Sequence, residues 1–265
     1  MNILIYRYNS ICEDAVIRGL KELGHTVYEV ILEVENKSPS GQEILDAVVM
    51  GMEKSNADII FSINYYPALS EIARVYKLLY YSWIVDAPVL ELYSKTIKNR
   101  CNRVFIFDSE LYREISVYNP YNIFYLPLAS DCDFYQKAIR HASLADVEKY
   151  THNISFVGSL YTEKCPYDKV KNLSPKISGY LHGIMKAQEK IYGYYFVEEL
   201  LSDELVDEFV KNYDGYYLAG EEDLLTKKRT LAQFYIGNKI TAMERVDKFK
   251  PDIKTYTKWN TVKNI

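Results

Sequence analysis

The stretch from Asp58 to Asp86, DIIFSINYYPALSEIARVYKLLYYSWIVD, decides the fold class of this chain. It opens and closes with runs of β-branched and aromatic residues, at 58–63 and 79–85. Strands covered on both faces show such continuous apolar runs because neither side meets water. Between them lies a helical pattern that we expect to begin near Pro67, since proline suits the first turn of a helix. The stretch therefore predicts a strand–helix–strand unit with parallel strands.

The same alternation extends from Met1 to Leu128. Further strands are predicted at 3–6, 27–32, 103–107 and 122–126, and further helices at 15–23 (closed by Gly24), 44–52 and 110–117. Repeated units of this kind predict an α/β fold with a Rossmann-like, mostly parallel sheet and helices on both faces. Such sheets bind ligands at the carboxyl ends of their strands, here after Tyr6, Ile63, Val85 and Phe107.

The pattern changes after Leu128. We expect a Rossmann-like domain at 1–128, an interdomain crossover at 129–152, and a second, helix-rich domain at 153–265. In the last part, strands are predicted at 153–157 and 252–257, with packed helices between them that include Leu181, Ile184, Met185 and Ile191. One α/β unit split by a long helical insertion does not complete a sheet, so the second domain is expected to be incomplete.

Composition narrows the class of protein. The 265 residues carry a net charge of −4 with scattered basic residues, which argues against nucleic acid as a partner. The four cysteines, Cys12, Cys101, Cys132 and Cys165, are widely separated along the chain, so the sequence predicts neither a zinc site nor a disulfide framework. The sequence shows no apolar run of transmembrane length and no signal-peptide pattern, so we expect a cytoplasmic protein.

Several enzyme classes lack their motifs. The segment after the first strand, Tyr6-Arg-Tyr-Asn-Ser-Ile-Cys-Glu, contains no GxGxxG, and the chain has no Walker A motif. These absences argue against dehydrogenases and P-loop NTPases. No acidic cluster follows the first strand, which argues against a receiver-type signalling domain. None of the four histidines has a partner at metal-binding spacing.

Two polar residues follow central strands. Asp86, with Trp83 close by in the sequence, could accept a proton from a sugar hydroxyl. Alternatively, it could cap the following turn. Asn64 could hydrogen-bond a ligand, although a turn before Pro67 is the simpler interpretation.

Two motifs belong to later segments. Gly158-Ser159 follows the strand at 153–157 and either forms a turn or lets backbone amides contact a phosphate. Asp131-Cys-Asp133 has the DxD form of some metal-dependent transferases. Because aspartate favours helix starts, we expect a capping or hinge role there.

Taken together, these segments resemble the CgeB-like (spore-maturation type) glycosyltransferases, over essentially the whole chain. The similar segments are NILIYRY at 2–8, IIFSINYYPALS at 59–70, SWIVDAP at 82–88, LYSKT at 92–96, VFIFD at 104–108, FYLPLA at 124–129 and ISFVGSLY at 154–161. The resemblance implies the GT-B architecture, in which two Rossmann-like domains face each other and the N-terminal one holds the acceptor. It also implies a nucleotide-sugar substrate, a glycan or protein acceptor, and no metal or other cofactor.

The resemblance assigns expected roles to particular residues. Asp86 is the candidate catalytic base, Arg7, Asn64 and Trp83 are acceptor-side contacts, and Gly158 and Ser159 lie near the donor diphosphate. Asn9 departs from the family because a glycine is expected in the first loop, which weakens a phosphate role there. The chain also ends before the carboxylate-bearing donor segment of the family.

We therefore expect most of the donor half to be supplied in cis or in trans. The alternative is a non-catalytic glycan- or nucleotide-binding regulatory module. Whether the reaction inverts or retains configuration stays open.

Overall fold

The computed structural model describes residues 1–151, 153, 165–191, 193–213 and 224–249. The chain divides into two compact units, Met1–Thr151 and His152–Ile265. Each unit is described by itself below.

The first unit is built on one six-stranded sheet in which every neighbouring pair is parallel. Its strand order is β2-β1-β3-β4-β5-β6. The strands are β1 (Asn2–Tyr6), β2 (Thr26–Val30), β3 (Ile59–Ile63), β4 (Leu79–Ile84), β5 (Asn102–Ile106) and β6 (Ile123–Tyr125). The predicted α/β class with a Rossmann-like parallel sheet is confirmed.

Helices connect most of these strands. They are α1 (Glu13–Glu22), α2 (Leu32–Glu35), α3 (Gly41–Ser55), α4 (Pro67–Tyr76) and α5 (Ser109–Ser116), followed after the sheet by α6 (Cys132–His141) and α7 (Leu144–Tyr150). Between β4 and β5 the chain forms two short 3-10 helices, Leu90–Tyr93 and Lys95–Lys98.

Local sequence signals set the helix ends. The Ser40 side chain accepts the N–H of Glu43 at 3.3 Å, while the Glu43 carboxylate accepts the N–H of Ser40 at 2.7 Å, which forms a capping box at α3. Pro67 is the first residue of α4, as predicted. Gly24 follows α1 with φ +83°, a backbone conformation that glycine adopts at little cost.

The two faces of the sheet are covered by different helices. Leu4 and Tyr6 of β1 belong to the larger core cluster, together with residues of α3 and α4. Ile3 and Ile5 belong to a second cluster with Ile17 of α1. The helix after β1 therefore lies on one face of the sheet, and the helix after β3 lies on the other. This topological switch point opens a crevice at the carboxyl ends of the two strands.

The described part of the second unit is mainly helical, as predicted. It contains α8 (Pro175–Gln188), α9 (Asp203–Lys211) and α10 (Leu224–Phe249), with 3-10 helices at Pro166–Lys169 and Val197–Leu200. Leu181, Ile184 and Met185 are buried, whereas Ile191, which follows α8, is 45% exposed and does not pack as predicted. The strands predicted at 153–157 and 252–257 lie outside the described residues, apart from Asn153. None of the helices described is long and apolar enough to cross a membrane.

Candidate functional site

Asn64 is the first residue after β3, and its backbone is held on several sides. Its N–H donates to the carbonyl of Trp83 at 2.8 Å. Its own carbonyl accepts the hydroxyls of Ser62 and Ser82 at 2.7 and 2.9 Å. The φ angle of Asn64 is +56°, a left-handed conformation that asparagine tolerates better than most residues. These contacts fix the direction in which its side chain points.

The Asn64 side chain joins three strand ends. Its Nδ2 donates to Asp86 Oδ2 at 2.7 Å and to Tyr8 Oη at 3.1 Å. Its Oδ1 accepts the N–H of Val85 at 3.0 Å. The amide therefore links the segments that follow β1, β3 and β4, at the edge of the sheet where the switch-point crevice opens.

Two predicted site residues, Asn64 and Asp86, are thus in direct contact. Asp86 is exposed, so its carboxylate can reach a ligand. Tyr8 was not predicted as part of the site. The only sequence signal for it was its position, two residues beyond the end of β1 at the predicted functional edge.

The Tyr8 phenol stays protonated at neutral pH. Burial raises its pKa above 10.0, the neighbouring Ser10 side chain opposes this, and the charges of Asp86 and Glu13 raise it further. The carbonyl of Tyr8 accepts Lys37 Nζ at 3.0 Å. Tyr8 is therefore a neutral hydroxyl group beside a carboxylate.

Arg7 was predicted as an acceptor-side contact, but its guanidinium turns to a cluster of carboxylates. Its Nε donates to Glu13 at 3.0 Å, and its terminal nitrogens donate to Asp14 at 2.7 Å and to Glu29. Burial acts to lower the pKa of Arg7, but its hydrogen bonds to Glu29 and Glu13 outweigh burial and raise the pKa. The contacts of Arg7 thus belong to this ion-pair cluster and not to the Asn64–Asp86 pair.

Glu13 also occupies the first loop of the sheet. Its carboxylate accepts the backbone N–H groups of Tyr8 at 2.9 Å and Asn9 at 3.1 Å. In dinucleotide-binding sheets, amides of this loop approach a phosphate. Here a side chain of the protein already uses two of them, which agrees with the weak phosphate role expected from Asn9.

The crevice side of the larger core is acidic and aromatic. The rings of Tyr6 and Tyr66 lie 5.1 Å apart, and those of Tyr8 and Tyr66 lie 6.3 Å apart. Burial raises the pKa of Glu33, while the neighbouring phenols of Tyr6 and Tyr66 counteract this rise. Burial also raises the pKa of Glu91, and the charge of Glu33 adds to this.

The other predicted residues are placed as follows. Trp83 belongs to β4 and contacts Asn64 through its backbone. Its Nε1 is buried and has no hydrogen-bond partner among the described residues. Gly158 and Ser159 lie outside the described residues.

The DxD motif caps a helix, as predicted. Asp131 Oδ1 accepts the N–H of Phe134 at 3.0 Å at the start of α6, and Oδ2 pairs with Arg18. Within the part of the chain that the structure describes, no three His, Cys, Asp or Glu side chains are grouped to hold a metal ion.

A separate open cavity of about 520 Å³ lies beside α1 and β2. Its lining carries charges of both signs, from Arg7, Asp14, Arg18, Lys21, Glu22 and Glu29, and also includes Ile17. Neither Asn64 nor Asp86 lines it, and several of its charges already pair with one another.

No protein-family model matches the chain, and no curated protein is significantly similar to it.

Proposed function

We propose that this chain is the acceptor-side part of a GT-B sugar transferase, with Asp86 as the group that receives the acceptor hydroxyl. The observation that carries the proposal is the 2.7 Å hydrogen bond from Asn64 Nδ2 to Asp86 Oδ2. It holds an exposed carboxylate at the carboxyl edge of a parallel sheet, beside the switch point where ligands of such folds bind.

The proposed reaction joins an alcohol to an activated sugar. The acceptor oxygen forms a bond to the anomeric carbon, and the bond between that carbon and the diphosphate oxygen breaks. The nucleoside diphosphate leaves with the electron pair. In an inverting reaction the hydroxyl proton passes to Asp86, which acts as general base. In a retaining reaction Asp86 orients the acceptor instead, and the hydroxyl proton passes to the leaving diphosphate.

The donor side of the proposal rests on the resemblance described above. It assigns the donor diphosphate to the region of Gly158 and Ser159, where backbone amides and a helix N-terminus would stabilise it without metal. It also assigns a glycan or protein as acceptor. The cytoplasmic location that we propose rests instead on the sequence, which shows no apolar run of transmembrane length and no signal-peptide pattern.

The test is release of nucleoside diphosphate by the 265-residue chain supplied with a GT-B donor domain, from uridine, guanosine and thymidine diphosphate sugars with simple methyl glycosides as acceptors. We expect Asp86→Asn to slow release by about 10²–10⁴-fold, the usual contribution of a general base. Asp46→Asn is the matched control, since Asp46 is exposed on α3 and contacts Gln42. Equal rates for wild type and Asp86→Asn would contradict the proposal. Binding of a nucleotide-sugar without any release would favour a non-catalytic binding module.

A further inference from the structure

Among the residues that the structure describes, the Tyr8 hydroxyl hydrogen has no acceptor. A hydroxyl group has one hydrogen to donate and two lone pairs to accept. Tyr8 Oη accepts from Asn64 Nδ2 at 3.1 Å, a contact that does not use its own hydrogen. The Tyr8 hydrogen is therefore directed to another acceptor.

Asp86 is the complementary group. Its Oδ2 accepts from Asn64, and as an ionised carboxylate it keeps further lone pairs for a ligand hydroxyl. One amide nitrogen thus orients a donor, Tyr8, and an acceptor, Asp86, on two sides of itself.

The spacing of the pair determines what fits. The two N–H bonds of an amide diverge by about 120°, so the distances of 3.1 and 2.7 Å place Tyr8 Oη and Asp86 Oδ2 about 5 Å apart. A single ligand oxygen in reach of both would press against Nδ2, whose hydrogens are already used. Two neighbouring ligand oxygens span the gap without that contact.

The surrounding charges select against anions. Glu33 and Glu91 are partly buried carboxyls that interact with each other, and Glu33 lies beside Tyr66, whose ring is 6.3 Å from that of Tyr8. Lys37, the cation nearest to Tyr8 by its hydrogen bonds, donates to a backbone carbonyl. A second negative charge in the ligand would be repelled.

We infer that Tyr8 and Asp86 hold two adjacent hydroxyls of an uncharged vicinal diol, with Tyr8 donating to one oxygen and Asp86 accepting from the other. Asn64 is the positioning residue for both. The inference rests on the proposed function in taking the ligand to be the sugar acceptor, and it makes Tyr8 a substrate-contacting residue.

The experiment is an NMR titration of the full chain with the methyl glycosides of glucose, galactose, mannose and N-acetylglucosamine, each with its monodeoxy analogues. For the glycoside that binds, we expect removal of either of two adjacent hydroxyls to weaken binding by about fivefold, as one hydrogen bond contributes. In Tyr8→Phe, removal of the hydroxyl at one of these positions should no longer weaken binding. In Asp86→Asn, the same should hold for the hydroxyl at the neighbouring position. Tyr28→Phe, at a partly exposed position of β2, is the control and should change neither.

Four outcomes would overturn the inference. In two of them, Tyr8→Phe leaves the affinity loss of every deoxy analogue unchanged, or both variants abolish the affinity loss at the same hydroxyl position. In the other two, tetramethylammonium binds more strongly than any glycoside, or the folded wild-type chain binds no glycoside. The deoxy series on wild type keeps the test decisive if Tyr8→Phe is unstable, because two adjacent positions must each matter.

Failure of the proposed sugar transfer can be distinguished from failure of the diol site. The expected binding pattern without nucleoside diphosphate release would contradict sugar transfer and leave the diol site standing. If nucleoside diphosphate release depends on Asp86 but Tyr8→Phe does not change the affinity loss of any deoxy analogue, the diol site alone is contradicted.

Discussion

The carboxylate of Glu13 accepts the backbone N–H of Tyr8 at 2.9 Å, although Glu13 is only 2% exposed. It also holds Arg7 and the N–H of Asn9. We expect Glu13→Ala to lower the free energy of unfolding by about 3–5 kcal/mol, because it leaves the Arg7 charge and two loop amides without this partner. Urea unfolding followed by circular dichroism measures this.

The matched control for that loss is Glu22→Ala, since Glu22 is exposed on the same helix. It should change stability by less than about 0.5 kcal/mol. Equal effects of the two substitutions would show that the Glu13 contacts contribute nothing specific.

The effect of the left-handed backbone of Asn64 on stability can be tested separately from the effect of its side-chain amide on binding. Asn56, the C-cap of α3, has φ +46°, and Asn64 has φ +56°. At both positions we expect the glycine variant to be more stable than the alanine variant by about 1–2 kcal/mol, because alanine disfavours this conformation. Only at Asn64 should the glycine variant also lose glycoside binding, since Asp86 and Tyr8 lose their common donor. Alanine matching or exceeding glycine would refute the strain argument.

Glu33 should make stability depend on pH. Burial raises its folded pKa above 4.5, so the folded chain holds this proton more tightly than the unfolded chain. The groups that face it are Tyr6, Tyr66, Lys37, Glu13 and Glu91. Its stabilising contribution is complete below pH 4.5 and is lost as the pH rises through the folded pKa.

Glu33→Gln removes this titration. We therefore expect the stability of the variant relative to wild type to increase between about pH 4.5 and about pH 8, as measured by urea midpoints at both values. A difference that is constant with pH, or that falls, would mean that Glu33 is not buried as described.

Two helical glycines should respond in opposite ways to alanine. A Cβ at Gly51 of α3 would lie 3.0 Å from Leu4 Cδ1 and 3.1 Å from Val30 Cγ2, whereas a Cβ at Gly19 of α1 meets nothing within 4 Å. We expect Gly19→Ala to stabilise the chain by about 0.5–1 kcal/mol. Gly51→Ala should destabilise it by about 1–3 kcal/mol through overpacking. Thermal melting of both variants decides this, and the same sign at both positions would contradict the close approach of α3 to the sheet.

The sheet was largely predictable because its central strands are buried on both faces. Ile59–Ile63 and Leu79–Ile84 were expected at 58–63 and 79–85, since each is a continuous apolar run. The order of the strands was not predictable in this way. It depends on pairings such as Ile3 with Ile59, which are distant in the sequence and leave no local pattern.

The candidate site was predicted only in part. Asn64 and Asp86 end their strands and could be identified from position alone. Arg7 and Tyr8 both follow β1, and the sequence does not show which of them faces the crevice. The choice depends on the ion pairs that the Arg7 guanidinium forms with Glu13, Asp14 and Glu29. Such a choice between neighbours is made by tertiary contacts.

The position of β1 between β2 and β3 in the sheet has a consequence for biosynthesis. One edge of β1 pairs with β2, but its other edge needs β3, which begins only at Ile59, after α1, β2, α2 and α3 have been synthesised. At roughly 5–20 residues per second, a ribosome takes several seconds to deliver that partner. During this interval the edge of Ile3, Leu4 and Ile5 is a template for other strands. We therefore expect nascent chains that end before Ile63 to be the form of this protein that most needs a chaperone.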